Sequence, residues 1–557
     1  MNLSERIATL RLVVGLLLCT IVAPTQAFPI IVDPPYPVVC KCVAVNPVTN
    51  KTYMIIGGTD LTVVDGATGN SKSLWNSTTS LAYPIAVAVN PVTNKVYLVN
   101  YSADTKANFV LVVDGATEAS TTVATGLASI DVQVNSVTNR VYIVNSGGYQ
   151  TRASEQHPPF QGSVTVLDGA TNTTIGTVPT GSSSIAAGVN PVTNKIYVAN
   201  YDSNDVTVID GATNTATTVA AMNSPIDVAV NPSTDKIYVA NYGSNAVTVI
   251  DGATNSTAAV ASGIHPVELA VNQVTNAIYA LNVGDERGGR GNVTVIDGAT
   301  NATSTVPTWA DPTGIAINSL TNKVYVVNSG WVAGNAYNLF SVTVIDGASN
   351  VPNTVATEMH PTAIGLNMTT NKIYVADILS IGTNLAGRNH ITIIDGSISP
   401  SVVEFYNSKL DNYFITADPF EASAIDNGSA GLSWSRTGKL FKSGGNAAVC
   451  RFYGSQSPGP NSHFYTVNAA ECAGLKQLQA ITPVTEKRWN FESLDFLSTM
   501  PSSGTCPSGT TPVHRAYNNG YARGVDSNHR ITIDPAAIQQ AVSLGWIAEG
   551  VVMCAPI

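Results

Sequence analysis

The sequence predicts an all-β fold, on three observations. A unit typified by residues 226–255, Ile-Asp-Val-Ala-Val-Asn-Pro-Ser-Thr-Asp-Lys-Ile-Tyr-Val-Ala-Asn-Tyr-Gly-Ser-Asn-Ala-Val-Thr-Val-Ile-Asp-Gly-Ala-Thr-Asn, recurs from about residue 38 to about residue 399. A period of roughly 20–50 residues marks a repeat architecture. Charged residues make up only 11% and aromatics 7% of the 557, while Val, Thr, Asn, Gly and Ala fill the repeats, the vocabulary of short strands and tight turns. Helix-forming runs are scarce before residue 415.

Each copy is marked by an anchor Tyr (Tyr53, Tyr97, Tyr142, Tyr197, Tyr238, Tyr279, Tyr325, Tyr374) and by an Asp-Gly pair whose Asp is Asp65, Asp114, Asp168, Asp210, Asp251, Asp297, Asp346 or Asp395. Both marks occur eight times. Within the copy above, period-two alternation predicts strand A at Val228–Val230, a turn on Asn231–Asp235, strand B at Lys236–Asn241, strand C at Val247–Ile250, a turn on Asp251-Gly252, and strand D in the following Thr/Val run. A four-stranded meander of this length cannot bury both faces alone, so the copies must stack, radially, as an eight-bladed β-propeller. The eighth copy lacks an outer strand before the pattern changes at Ser397–Pro400, and Ile30-Ile31-Val32 stands ahead of the first copy at the usual spacing. The N-terminal segment is therefore expected to supply the missing strand and close the ring.

The strings Tyr238-Val239-Ala240-Asn241 and Val247-Thr248-Val249-Ile250-Asp251-Gly252 resemble the YVTN family of bacterial β-propellers over residues 38–399. The resemblance is specific for the fold and implies no particular activity. Members of that family mostly carry seven blades, whereas eight copies are counted here.

The chain opens with Arg6 and Arg11, an apolar run from Leu12 to Val22, and Thr25-Gln26-Ala27. This is the order of a cleavable secretory signal over residues 1–27, too short to span a membrane. Leu18 before Cys19 does not make a lipoprotein site, so a secreted or periplasmic protein without a membrane span is expected. Without Cys19 six cysteines remain, an even number suited to an oxidising compartment. Residues from 400 onward carry 11 basic and 12 acidic side chains against a whole-chain net charge of −10, so the acidic excess lies on the propeller, residues 28–399. Nucleic acid is excluded as a natural partner for such a surface.

The copies differ mainly in their B–C loops, which are short in the fourth and fifth copies and long at 146–162, 284–291, 330–340 and 377–390. All lie on the rim that also holds the D–A connections, so one face is standard and the other elaborated. On the standard face the eight turn aspartates are nearly balanced by Lys51, Lys95, Arg140, Lys195, Lys236, Lys323 and Lys372. The remaining propeller carboxylates outnumber the remaining cations, which favours cationic or neutral ligands at the elaborated face.

Equivalent positions form rings around the axis. Four residues before the strand-A Asn stand Asp131, Asp227 and Glu268, with Cys42 at the same register. Seven residues before it stand His265, Asp311 and His360, with Tyr83 in the second copy. Tyr83, Asp131, Asp227 and Glu268 are candidates for a ligand-binding ring, the alternative being acids that cap backbone amides. His265, Asp311 and His360 are candidates for a divalent-metal site or for an acid and base. Their alternative is a solvated turn, since each precedes a proline. Cys40 and Cys42, two residues apart on one strand, are too widely spaced for an unstrained disulfide; a bridge, a thiol pair and soft-metal ligation all stay open. No nucleophile elbow, zinc-protease helix, phosphate loop or dinucleotide fingerprint is present.

Residues 400–557 hold a second, looser triplication. Glu404-Phe405-Tyr406 with Tyr413-Phe414, Arg451-Phe452-Tyr453 with His463-Phe464-Tyr465-Thr466, and Arg515-Ala516-Tyr517 with His529-Arg530 are each followed by a short helical pattern and a Trp (Trp434, Trp489, Trp546). A small α+β pseudo-threefold domain is expected, with Cys450 pairing Cys472 and Cys506 pairing Cys554. It resembles an uncharacterised His-Phe-Tyr-Thr repeat domain of exported bacterial proteins, which implies no known activity. Its aromatics suit either sugar stacking or a small-domain core. The reading of the whole is an exported binding or scaffold protein with a cell-surface glycan, cell wall or protein as partner. The rival reading is a propeller lactonase, lyase or hydrolase.

Overall fold

The structure, a computed structural model, describes residues 40–557 except 57–59, 77–82, 102–107, 149–159, 285–289, 331–339, 358–360, 369, 378–389, 397–400, 427, 429, 431–432, 455–456, 458 and 524–525. The signal segment 1–27, the closing strand expected at Ile30–Val32, and most of the long B–C insertions lie outside the described residues. Two compact units are present, one built mainly of residues 26–397 and the other mainly of residues 398–557.

The first unit is a propeller of eight antiparallel sheets, seven with four strands and the eighth, over residues 361–395, with three among the described residues. The fifth blade is typical: strand A is Pro225–Asn231, B Lys236–Asn241, C Ala246–Asp251 and D Thr257–Ala261. Strands B and C are buried on both faces, and the anchor Tyr of every blade is among the largest fully buried side chains. Alternating apolar residues on two packed faces produce this. Each blade's apolar side chains meet those of the blades beside it.

Neighbouring blades are joined by a repeated polar device. The Asn that ends strand A donates its side-chain amide to the side-chain oxygen of the last turn residue in the next blade: Asn46 to Asn94, Asn90 to Asn139, Asn135 to Asn194, Asn190 to Asp235, Asn231 to Asn276, Asn272 to Asn322, Asn318 to Asn371 and Asn367 to Asn50, all within 2.6–2.9 Å. The last bond joins blade eight to blade one and closes the ring. Every acceptor sits in left-handed backbone, φ 51–55°, a conformation Asn and Asp tolerate better than other residues with a β-carbon. The cation that opens strand B adds a second tie, reaching the Asp-Gly carbonyl of the next blade, as in Lys51 to Gly115 (3.2 Å) and Lys372 to Gly66 (3.1 Å). Lys236 departs from this and pairs with its own Asp251 (2.7 Å).

The Asp-Gly turn differs from a two-residue hairpin. Asp210 Oδ1 accepts the amides of Ala212 and Thr213 and the Thr213 hydroxyl, and these bonds, the Thr213 amide foremost, hold its carboxyl below the usual range. The left-handed residue is Asn214, four positions later. Gly211 is needed for closeness instead: a β-carbon there would lie 2.5 Å from Asn194 Oδ1 and 2.7 Å from its carbonyl.

The second unit contains three three-stranded sheets, each a central strand flanked by two others: Ser401–Asn407, Ala447–Tyr453 and Thr510–Tyr517 are the central strands. Helices Pro419–Asp426, Ala469–Ile481 and Pro535–Ser543 follow the hairpins. Asp534 caps the last by accepting the Ala536 amide. The three copies contribute equivalent side chains to one core: Val402, Val449 and Val513, with Phe441, Phe496 and Met553. Between copies, Arg451 lies over Phe414 and Arg515 over Phe464, while at the third junction Arg530 pairs with Glu404 (3.1 Å). Disulfides join Cys450 to Cys472 and Cys506 to Cys554. Loops of these lengths imply about 3–4 kcal/mol each from restricting the unfolded chain.

Gly211→Ala should destabilise the propeller by about 1–3 kcal/mol, because backbone as well as side-chain atoms must yield. Gly474→Ala, where the added carbon meets nothing, should instead stabilise its helix by about 1 kcal/mol. Chemical denaturation of both variants tests the contrast.

Candidate functional site

Strand A runs from the loop-bearing rim to the Asn ring, so a residue four positions before the ring Asn lies about 13 Å along the strand from it. In blades three, five and six that residue is Asp131, Asp227 and Glu268. A register shift around Ile130, Ile226 or Val267 immediately precedes each. Such a bulge breaks the alternation and re-aims the next side chain. The acids thereby reach across to the following blade: Asp131 Oδ2 accepts the Ala187 amide (2.9 Å), Asp227 Oδ2 the Leu269 amide (2.8 Å) and Glu268 Oε2 the Ile315 amide (2.9 Å). In blade two, which has Ala86 at this register, the corresponding Val87 amide is taken by the Lys41 carbonyl (2.9 Å).

Lys41 is the residue that organises these acids. Its backbone bridges to Ala86 in blade two, and its ammonium lies 3.2 Å from Asp131 Oδ2 and 3.3 Å from Asp227 Oδ1. One side chain from the start of blade one therefore ties blades three and five. Asp131 and Asp227 are 2% and 5% exposed, while the lysine stem keeps partial contact with solvent. Burial works against the ammonium, but the carboxylates of Asp131 and Asp227 outweigh it and raise its pKa. Burial and the Asp227 charge push Glu268 up to about 8, opposed by the Ile315 amide and by Lys41. Three acids facing one cation leave an excess of negative charge, and protonation of Glu268 relieves part of it.

The ring seven residues before the Asn is built differently. His265 and Asp311 have left-handed backbone, φ 54° and 51°, as do Ala128, Ser183 and Ser224 in other blades. Each receives through its carbonyl the amide just beyond strand B. His265 Nδ1 is 3.0 Å from the Gly284 carbonyl and its ring stacks on Tyr242 at 4.3 Å. Asp311 accepts the Ser329 hydroxyl. The Asp311 side chain thus serves the junction of its own blade, the His265 side chain joins its own blade to Tyr242 of blade five, and His360 lies outside the described residues. Among the described residues no group of three His, Cys, Asp or Glu side chains is placed to hold a metal ion. Tyr83 opens strand A of blade two.

Cys40 and Cys42 are paired, with Cα atoms 5.1 Å apart. Of the bridge, the thiol pair and soft-metal ligation, this is the bridge. The regular strand begins at Val43. Repeat register points to both cysteines and not to Lys41 between them. The available signal was a lone cation one residue from the register that carries three acids elsewhere.

In the second unit Tyr453, Tyr465 and Trp546 are buried, and the Tyr465 hydroxyl donates to the Ile415 carbonyl. His529 is packed between Phe464 and Tyr517, and burial, with Arg515 nearby, lowers its pKa to about 3. Of the two readings of these aromatics, the core one applies to them. No helix of the described residues is long and apolar enough to cross a membrane.

Among known proteins, the profile of a domain of unknown function (DUF5648) matches residues 401–556. The C-terminal unit is therefore similar to a domain whose activity is not assigned. No curated protein matches the chain. Solved structures similar to it include hydrazine synthase of Kuenenia stuttgartiensis (18% identity, 57% of this chain and 97% of that one, TM-score 0.42). Others are the dihydro-heme d1 dehydrogenase NirN in complex with DHE (14%, 67% and 75%, TM-score 0.48) and a mitotic checkpoint complex (12%, 56% and 95%, TM-score 0.43). All three TM-scores lie below 0.5, so the propeller rests on the eight sheets themselves.

Lys41→Met should destabilise the propeller by about 3 kcal/mol, because it strands two buried carboxylates; thermal unfolding at neutral pH checks this. Glu268 has a raised pKa, so its contribution to stability is present below the unfolded value of 4.5 and is lost as pH rises toward 8. Glu268→Gln should accordingly match the native protein near pH 4 and exceed it in urea midpoint at pH 8. Equal midpoints at pH 8 would contradict the raised pKa of this acid.

Proposed function

We propose that this is an exported binding or scaffold protein of the bacterial envelope or exterior. It takes its ligand at the loop-rich face of the propeller, and the C-terminal unit serves attachment. One observation carries the reading: Asp131 and Asp227 share Lys41, and Glu268 feels the charges of both Asp227 and that lysine, so the three acids carry more negative charge than Lys41 neutralises. A cationic group entering from the rim meets an attractive field that low-dielectric walls focus. The B–C loops, which differ in length between copies, are the natural source of specificity.

Export is supported by the two C-terminal disulfides, which persist in oxidising compartments, and by the signal-like N-terminus. The resemblance of the repeat to the YVTN propellers fits the same setting. His265 and Asp311 are engaged in loop junctions.

Calorimetric titration with glucosamine oligomers and with their N-acetylated counterparts separates charge from shape. The cationic series should bind saturably and weaken as salt is raised past the point where the Debye length falls below about 8 Å. Equal affinity for the neutral series would move recognition from the acids to the loops. Binding of neither series, accompanied by turnover of lactone or ester substrates, would refute the proposal.

A further inference from the structure

The Cys40–Cys42 pair is unlike the other two disulfides. Those close separations of 22 and 48 residues, whereas this one spans two. So tight a ring restricts the unfolded chain little, which leaves its local geometry as what it contributes. Cys42 is buried, and its carbonyl accepts the Ile55 amide at 2.8 Å, tying it to blade one. Cys40 is only partly buried, and its sulfur lies 3.5 Å from the Ile85 carbonyl, an acceptor in place for a thiol proton. Between them, Lys41 is held by its carbonyl to Val87 and by its ammonium to Asp131 and Asp227. The bridge therefore clamps both flanks of the residue that joins three blades.

We propose that Cys40 and Cys42 form a reversible redox pair whose substrate is an external dithiol or disulfide, and that the oxidised form is what holds Lys41 among the channel acids. In the reductive direction a thiolate of the dithiol attacks Cys40 Sγ, the more accessible sulfur. The bond to Cys42 breaks, its electron pair departs on Cys42 Sγ, and that sulfur takes up a proton. The second sulfur of the dithiol then displaces Cys40 from the mixed disulfide, and Cys40 leaves as a thiol. The protein gains two electrons and two protons, and the dithiol becomes a disulfide. With its flanks released, residue 41 relaxes, the ammonium withdraws to solvent, and Asp131 and Asp227 lose their cation. This holds whichever ligand the rim takes.

The test equilibrates the full chain in graded mixtures of reduced and oxidised dithiothreitol, traps thiols with iodoacetamide and reads each cysteine by peptide mass spectrometry. Cys40 and Cys42 should become alkylated together at a reduced-to-oxidised ratio ~100-fold lower than Cys450, Cys472, Cys506 and Cys554 require. Over the same range, acylation of Lys41 by an amine-reactive ester should rise ~10-fold, as expected for an amine leaving its carboxylate partners, while the exposed Lys409 stays constant. Reduction of Cys40–Cys42 no earlier than the other pairs, or its absence from the fully oxidised sample, overturns the redox pair. Early reduction with unchanged Lys41 acylation overturns the clamp. In the Cys40→Ser/Cys42→Ser variant Lys41 should be acylated rapidly in every buffer, and a protected Lys41 in that variant, folded by circular dichroism, also overturns it. Should the variant not fold, the native titration decides alone.

Discussion

The propeller depends on a ring of eight side-chain hydrogen bonds in which each blade's strand-A Asn grips the turn of the next. These Asn residues are almost wholly buried, and a buried amide left unpaired costs more than a made bond returns. Each blade thus needs its neighbour in one angular relation. The bond from Asn367 to Asn50 makes the requirement circular. Gly66, Gly115, Gly169, Gly211, Gly252, Gly298 and Gly396 follow from the same ring, since a β-carbon on each would meet the Asn or Asp that accepts the bond.

Inside that frame the channel shows what symmetry breaking can build. Three blades replace a small residue with an acid, and each acid first solves a local problem by accepting an amide of the next blade. Only because Lys41 arrives from a fourth blade do two of them also share a cation. Attraction between close charges in a poorly solvated channel outweighs the cost of desolvating the ammonium. Glu268, farther from relief and near Asp227, carries the residual strain as a raised pKa. The C-terminal unit breaks its own threefold pattern in a related way: where two junctions stack Arg on Phe, the third exchanges Arg for Glu and Phe for Arg, so a cation–π contact becomes a buried ion pair.

What sequence alone determined was everything carried by period and short-range chemistry. The anchor Tyr and Asp-Gly spacing counted eight blades, alternation located strands such as Lys236–Asn241, and the triplicated aromatics outlined the second domain. Spacing between copies also placed Asp131, Asp227 and Glu268 on one ring, because equivalent positions in a closed repeat must share a height. What only the tertiary structure decided was the direction in which those side chains act. A bulge at Ile226 or Val267 adds a residue that strict alternation does not foresee, so strand phase could not tell an acid facing the channel from one facing a neighbour's backbone. Lys41 was illegible for a stronger reason. Its partners lie 90 and 186 residues away, outside every repeat equivalence, and proximity at that separation exists only once the ring has closed.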